Sequence, residues 1–259
     1  MTSSSHPTAR AHSFNAAAAQ YAANRPGYPQ ELFDTVEELA ERRFEGTRVG
    51  DVGAGTGIAT GLMHGRGARV VAVEPGEGMA AEFRRALPDV PVVRGDGNRL
   101  PFRDGSLDLL TYAQSWHWTD PTRAVPEAVR VLRPAGALAL WWNTTPDDVP
   151  WLRAQALRMG RHFGIDGAAE KDRASRTSLA DPTGTLTFVH RMIRWSRRVP
   201  LDTHLANLGS HSVFLVDTEE RTKAFFAAER AHLQAEFPDG VVEETYDVSL
   251  LVARRTSSD

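Results

Sequence analysis

The chain has 259 residues, a formal net charge of −3, no cysteine and 41% hydrophobic residues, which suits one sizeable α/β domain with an insertion. Lack of cysteine excludes disulfides, thiolate metal ligands and a cysteine nucleophile, and the charge offers no field that would draw nucleic acid. No apolar run approaches the roughly 20 residues of a membrane span, and the first residues lack a signal-peptide core, so the expectation is a cytoplasmic protein with no membrane partner.

In chain order, residues 1–13 are polar and small and are expected to be a disordered tail, with a single domain over 14–259. Pro29 stands where a helix can start, and Leu32, Phe33, Val36, Leu39 and Ala40 recur at helical spacing, ending near Phe44. Apolar strands then alternate with helices. Strands are expected at 47–52, 68–74, 91–94, 107–113 and 137–142, with helices at 57–64, 78–87 and 121–132 between them. Arg133-Pro134-Ala135-Gly136 reads as the stop after the last of these helices. Repeated βαβ units with near-continuous apolar strands imply a doubly wound parallel sheet covered by helices on both faces. The rhythm breaks after Asn143. Residues 144–184 read as an insertion or lid contributing to an acceptor pocket, with a helix at 151–163 and a polar loop at 164–184. A strand at 185–199, helices at 201–208 and 219–237, and a last strand at 241–253 follow. Two late strands would complete a seven-stranded, Rossmann-like sheet, mostly parallel with one antiparallel strand.

The most telling stretch is Val49-Gly50-Asp51-Val52-Gly53-Ala54-Gly55-Thr56-Gly57, a buried strand running into a glycine turn that opens a helix. Glycine serves where φ is positive or where a ligand lies against bare backbone. A dinucleotide fingerprint counted from Gly53 would need its third glycine or alanine at Ile58; here it falls at Gly57, with Asp51 two positions before the first. This G-x-G-x-G behind an aspartate resembles the first motif of class I S-adenosylmethionine-dependent methyltransferases. Three later features stand at successive strand ends, where open α/β sheets bind ligands. They are Glu74-Pro75, the run Arg94-Gly95-Asp96-Gly97-Asn98-Arg99-Leu100-Pro101-Phe102, and Tyr112-Ala113-Gln114-Ser115-Trp116-His117-Trp118. The second is similar to the family's G-D-A-x-x-L-P-F segment. Near the start, Tyr21 to Pro29 is similar to the lead-in Y-x-x-x-R-P-x-Y-P, placing Tyr21 and Arg25. The resemblance is to the type 11, trans-aconitate methyltransferase-like small-molecule group and runs from about Phe14 to Arg255.

That resemblance implies S-adenosylmethionine as cofactor, S-adenosylhomocysteine as product and no metal. It places Asp51, Gly53, Ala54, Gly55, Thr56 and Gly57 around the methionine moiety, Glu74 and Pro75 at the ribose, and Asp96 and Gly97 at the adenine. Gln114 joins this set, Met79 either covers an adenine face or fills the core, and Tyr21 and Arg25 bind the methionine carboxylate. His117 is either a base or a pocket-shaping group. Trp116, His117, Trp142 and Trp151 are expected to line the acceptor pocket, whereas Trp141 and Trp195 are expected to fill the core. Arg153, Arg158 and Arg161 form a solvated face or meet an acidic substrate. The implied activity is methyl transfer to oxygen, nitrogen or carbon of a small, planar or aromatic intermediate of secondary metabolism. Alternatives are a tRNA or other nucleic-acid methyltransferase, and a cofactor-binding protein that transfers nothing. The sequence sets no oligomeric state; a homo-oligomer is compatible with it.

Overall fold

The computed structural model describes residues 24–164, 180–215 and 217–255. Its elements are α1 (Gln30–Leu39), β1 (Arg48–Val52), α2 (Ile58–Gly65), β2 (Arg69–Val73), α3 (Glu77–Ala86), β3 (Val92–Val93) and β4 (Leu107–Ala113). There follow α4 (Pro121–Val131), β5 (Leu132–Thr144), α5 (Pro150–Phe163), β6 (Phe188–Pro200), α6 (Leu201–Gly209), α7 (Ser212–Leu215), α8 (Glu219–Glu236) and β7 (Val241–Arg254). The strands form one seven-stranded sheet of order β3-β2-β1-β4-β5-β7-β6. The first five in that order are mutually parallel. β7 is antiparallel to both neighbours. Arg255 pairs with Gly136 while Thr144 reaches Asp247, and His190 meets Ser249 while Ser196 meets Glu243, so numbering rises on one strand as it falls on the other. The doubly wound sheet with one antiparallel strand is thus as expected.

The chain divides into two compact units. The first is built on Gly27–Asn143 and takes in the segment ending at Ile193 and the one beginning at Val248. Its core sets β4 and β5 against α4, with Leu110, Tyr112, Leu138 and Leu140 buried beside Ala124, Val125 and Ala128. Both faces of these strands are covered, which explains their unbroken apolar runs. The second unit is built on Arg194–Asp247 with α5 and the segment ending at Pro26. There Val199, Leu201, Leu205, Leu233 and Val242 form one cluster, and Leu208, Phe214 and Phe225 another.

Several boundaries differ from expectation for physical reasons. α1 ends at Leu39 because Ala40 caps it and Glu41 turns to φ +50. The Arg133–Gly136 stretch, expected as the stop after the helix, is the first part of β5; Ala135 takes φ +58 there and pairs with Arg255. The expected tail falls outside the described residues, as does most of the expected polar loop at 164–184. Among the described residues no helix is long and apolar enough to cross a membrane.

Candidate functional site

The turn leaving β1 sits in the first unit, and its three glycines are required for three different reasons. Gly53, Gly55 and Gly57 take φ of +66, +59 and +92, a region that strains other residues. A Cβ on Gly53 would collide with the Ser115 side chain. One on Gly57, the N-cap of α2, would lie 2.7 Å from Leu87 and 3.0 Å from Phe83 of the neighbouring α3 region. One on Gly55 would meet nothing within 4 Å. The middle glycine therefore borders open space, while the outer two hold the turn against the protein. The amides of Gly53 and Ala54 donate to the Val73 carbonyl, tying the turn to the end of β2.

Two carboxylates belong to the surroundings of this turn. Asp51 is wholly buried, accepting from Thr60 Oγ1 at 2.5 Å and Thr111 Oγ1 at 2.8 Å. Burial pushes its pKa up to about 6 against the pull of the two hydroxyls, with the Glu74 charge adding to the rise. Asp51 thus joins β1 to α2 and β4. Glu74, 7% exposed just past β2, accepts from the amides of Gly55 at 2.8 Å and Gly76 at 2.6 Å. Burial raises its pKa, while those two amides and Arg94 oppose the rise. Hence Glu74 is brought directly onto the open middle of the glycine turn.

Past β3, Asp96 is exposed and its Oδ1 accepts from the Asn98 amide at 2.7 Å, closing an Asx turn. Asn98 Oδ1 in turn accepts from the Asp120 amide at 2.7 Å. Gly97 is buried, and a Cβ there would lie 2.7 Å from Thr119 and 3.0 Å from Tyr112, so the alanine usual in related segments would require Thr119 to shift. At the exit of β4, Gln114 takes φ +60 and its amide donates to Trp141 O at 2.9 Å. A non-glycine residue held there stores strain of order 1 kcal/mol, a common mark of functional turns. Ser115 Oγ donates to the Val52 carbonyl at 2.5 Å, locking this exit to the end of β1.

His117 follows in a single 3-10 turn, Trp116–Trp118, and its Nδ1 lies 3.2 Å from Trp142 Nε1. Trp116, expected in the acceptor pocket, is instead 3% exposed and packs edge-on against Tyr112. Met79 is 5% exposed on the inner side of α3, and Pro75 is exposed. Trp141 is fully buried against Tyr28 and Phe33, as expected. Tyr21 lies outside the described residues. Arg25 belongs to the second unit, where its Nη2 donates to Ser210 O at 3.1 Å. Trp151 also belongs there, packed edge-on to His204 and Phe237. Arg158 is no free surface cation: it forms a bidentate pair with the buried Glu229. Thr60, Thr111 and Ser115 were missed in the sequence. A threonine in the apolar run of β4, or on the inner face of α2, must find a buried partner, and that was the available signal.

Comparison with known proteins places the chain in a family. Residues 50–140 match the family model described as a methyltransferase domain. The uncharacterized methyltransferase Rv3342 of Mycobacterium tuberculosis is 39% identical over 184 residues, covering 71% of this chain and 70% of that one. A demethylmenaquinone methyltransferase from Beutenbergia cavernae is 39% identical over 124 residues, 48% of this chain and 50% of its own. A solved Anaeromyxobacter dehalogenans protein described as a type II methyltransferase shares 25% identity with a TM-score of 0.66, covering 90% of this chain and 99% of that one. With its seven-stranded sheet and glycine turn, the chain belongs to the class I S-adenosylmethionine-dependent methyltransferases.

Proposed function

We propose that this methyltransferase acts on a small, planar acceptor of secondary metabolism, and that the first unit holds the cofactor. When bound, S-adenosylmethionine supplies an activated methyl group on a sulfonium. The residues present fit that group. Gly55 offers bare backbone to open space, and Thr56 Oγ1 is buried without a hydrogen-bond partner among the described residues. Glu74 sits on the same turn with two acceptor oxygens suited to a vicinal diol, and Asp96 stands at the next strand end, suited to an adenine amino group. Gly53 and Gly57 let the turn pack closely against Ser115, Phe83 and Leu87, while Asp51 ties β1 to α2 and β4 through Thr60 and Thr111.

The observation that carries this reading is the Gly55–Glu74 hydrogen bond, which brings the bare turn and a carboxylate suited to a diol together. The aromatic surroundings of the β4 and β5 ends, with Trp118 40% exposed and Trp142 beside His117, support a planar acceptor. The small-molecule substrate in the name of the Beutenbergia relative, and the net charge of −3, favour a metabolite over nucleic acid. Among the described residues no group of three or more metal-ligating side chains gathers.

Incubation of the protein with methyl-labelled cofactor and a cell extract tests the reading. Label in a small extractable product is expected; label confined to RNA or protein would overturn it.

A further inference from the structure

The second unit holds an open cavity of about 340 Å³, lined by Arg158 and His162 of α5 and by the Ala224–His232 stretch of α8. Small-molecule sites occupy about 300 to 1,000 Å³. A guanidinium has two edges, each able to grip an oxyanion with two parallel hydrogen bonds. In Arg158 one edge is occupied: Nε donates to Glu229 Oε2 at 2.6 Å and Nη2 to Glu229 Oε1 at 2.7 Å. The other edge, Nη1 with the second hydrogen of Nη2, has no acceptor among the described residues. Glu229 is satisfied without it, since Oε1 also accepts from Gln155 Nε2 at 3.0 Å. Burial alone would raise the Glu229 pKa, but Arg158, Gln155 and the nearby His232 together hold it low, so the carboxylate stays charged and keeps the guanidinium in place.

Two imidazoles line the same cavity. His162 Nε2 lies 3.0 Å from Asp217 Oδ2, and its ring packs against Phe163 and Phe225; Nδ1 has no hydrogen-bond partner among the described residues. His232 is exposed and makes no hydrogen bond among them. The fixed charges nearby balance, Arg158 against Glu229 and Arg221 against Asp217, so the open guanidinium edge and the imidazoles tip the cavity toward an anion. Ala224 and Ala228, one turn apart, add an apolar wall with Phe225. We propose that the second unit binds a small organic anion here, its carboxylate or phosphate group on the open edge of Arg158 and its apolar body against Ala224, Phe225 and Ala228. This site goes beyond the cofactor and acceptor of the proposed function, and all its residues belong to the second unit. The sequence offered the α5 arginines a solvated face or an acidic substrate. Arg158 takes an internal carboxylate on one edge and keeps the other for an external oxyanion.

Phenyl phosphate, an oxyanion on a flat apolar body, is the probe, and inorganic phosphate is its control. Calorimetry on the full chain should show saturable binding of phenyl phosphate, about fivefold or more tighter than inorganic phosphate, as partial burial of one ring allows. Amide spectra of 15N-labelled protein should shift along α5 and α8. Arg158→Lys keeps a cation for Glu229 but has no second edge, so phenyl phosphate affinity should fall about tenfold or more, the worth of a hydrogen bond to a charged group. Affinity for S-adenosylhomocysteine should stay within about twofold in that variant, as expected of independent sites. His232→Ala, at an exposed position, should weaken phenyl phosphate about two- to fivefold, and it carries the test alone if Arg158→Lys does not fold. Absence of saturable binding, equal affinity for the two anions, or undiminished affinity in the folded variants would overturn the proposal. Cofactor binding and label transfer are measured separately, so a failure here is distinct from a failure of the proposed function.

Discussion

At the scale of single residues, the glycine turn separates two costs that usually travel together. Gly55→Ala meets no neighbour, so the folded state bears only the strain of φ +59, roughly 1 kcal/mol. If that open side receives the cofactor, the same methyl group should cut S-adenosylhomocysteine affinity by more than tenfold in calorimetry while the melting temperature moves by a few degrees. Gly53→Ala should behave in the opposite order: its Cβ strikes Ser115, so loss of stability comes first, about 2 kcal/mol or more by denaturant melts. Glu74→Ala removes the carboxylate facing Gly55, and binding should fall below detection with the fold intact; near-native affinity would remove Glu74 from the site. The G-x-G-x-G spacing made this turn legible in the sequence, because each glycine answers a local backbone demand. The individual reasons were not legible, because Ser115, Phe83 and Leu87 reach the turn only through the fold.

Among elements, the strands buried on both faces were readable because burial requires continuous apolar runs, as in Leu107–Ala113. The second unit was far less readable. Its organising feature is a chain of polar contacts running from Arg158 through Glu229, Gln155 and His204 to Glu244, which joins α5, α8, α6 and β7. Glu229 Oε1 can only accept from Gln155 Nε2, so the same amide nitrogen donates to His204 Nε2, and His204 Nδ1–H donates to Glu244. Periodicity cannot reveal partners dozens of residues apart, and Arg158 read as part of a solvated face or a contact for an acidic substrate. Its removal should be costly because the Glu229 side chain is fully buried and would keep its charge without a partner. We expect Arg158→Met to destabilise the protein by about 3 kcal/mol in urea melts, and Arg158→Met with Glu229→Gln to recover more than half of that. Additive losses would show that the pair is not coupled.

Over the whole molecule, the two units carry buried carboxylates whose pKa values are displaced in opposite directions, so acid acts on them with opposite sign. Asp51 in the first unit is raised from 3.8 to about 6, chiefly by burial. Between those values the folded state binds the proton more readily than the unfolded chain, so this group's contribution to stability declines as pH rises through the window. Glu244 in the second unit would also be raised by burial, but His204 and Arg197 outweigh that and hold it at about 2. Its contribution is fully present above 4.5 and is lost as pH falls toward 2. Each displacement corresponds to about 3 kcal/mol across its window. Unfolding free energies of wild type, Asp51→Asn and Glu244→Gln against pH separate the two. Relative to wild type, Asp51→Asn should gain stability steadily from about pH 4 to pH 6 and then level off. Glu244→Gln should be less stable than wild type at neutral pH, with the deficit shrinking only below about pH 4.5. Amide exchange locates each effect, at β1 and β4 for the first variant and at α6 and the first half of β7 for the second. A flat difference for Asp51→Asn across its window would mean that the threonine hydroxyls, and not burial, govern the Asp51 carboxylate.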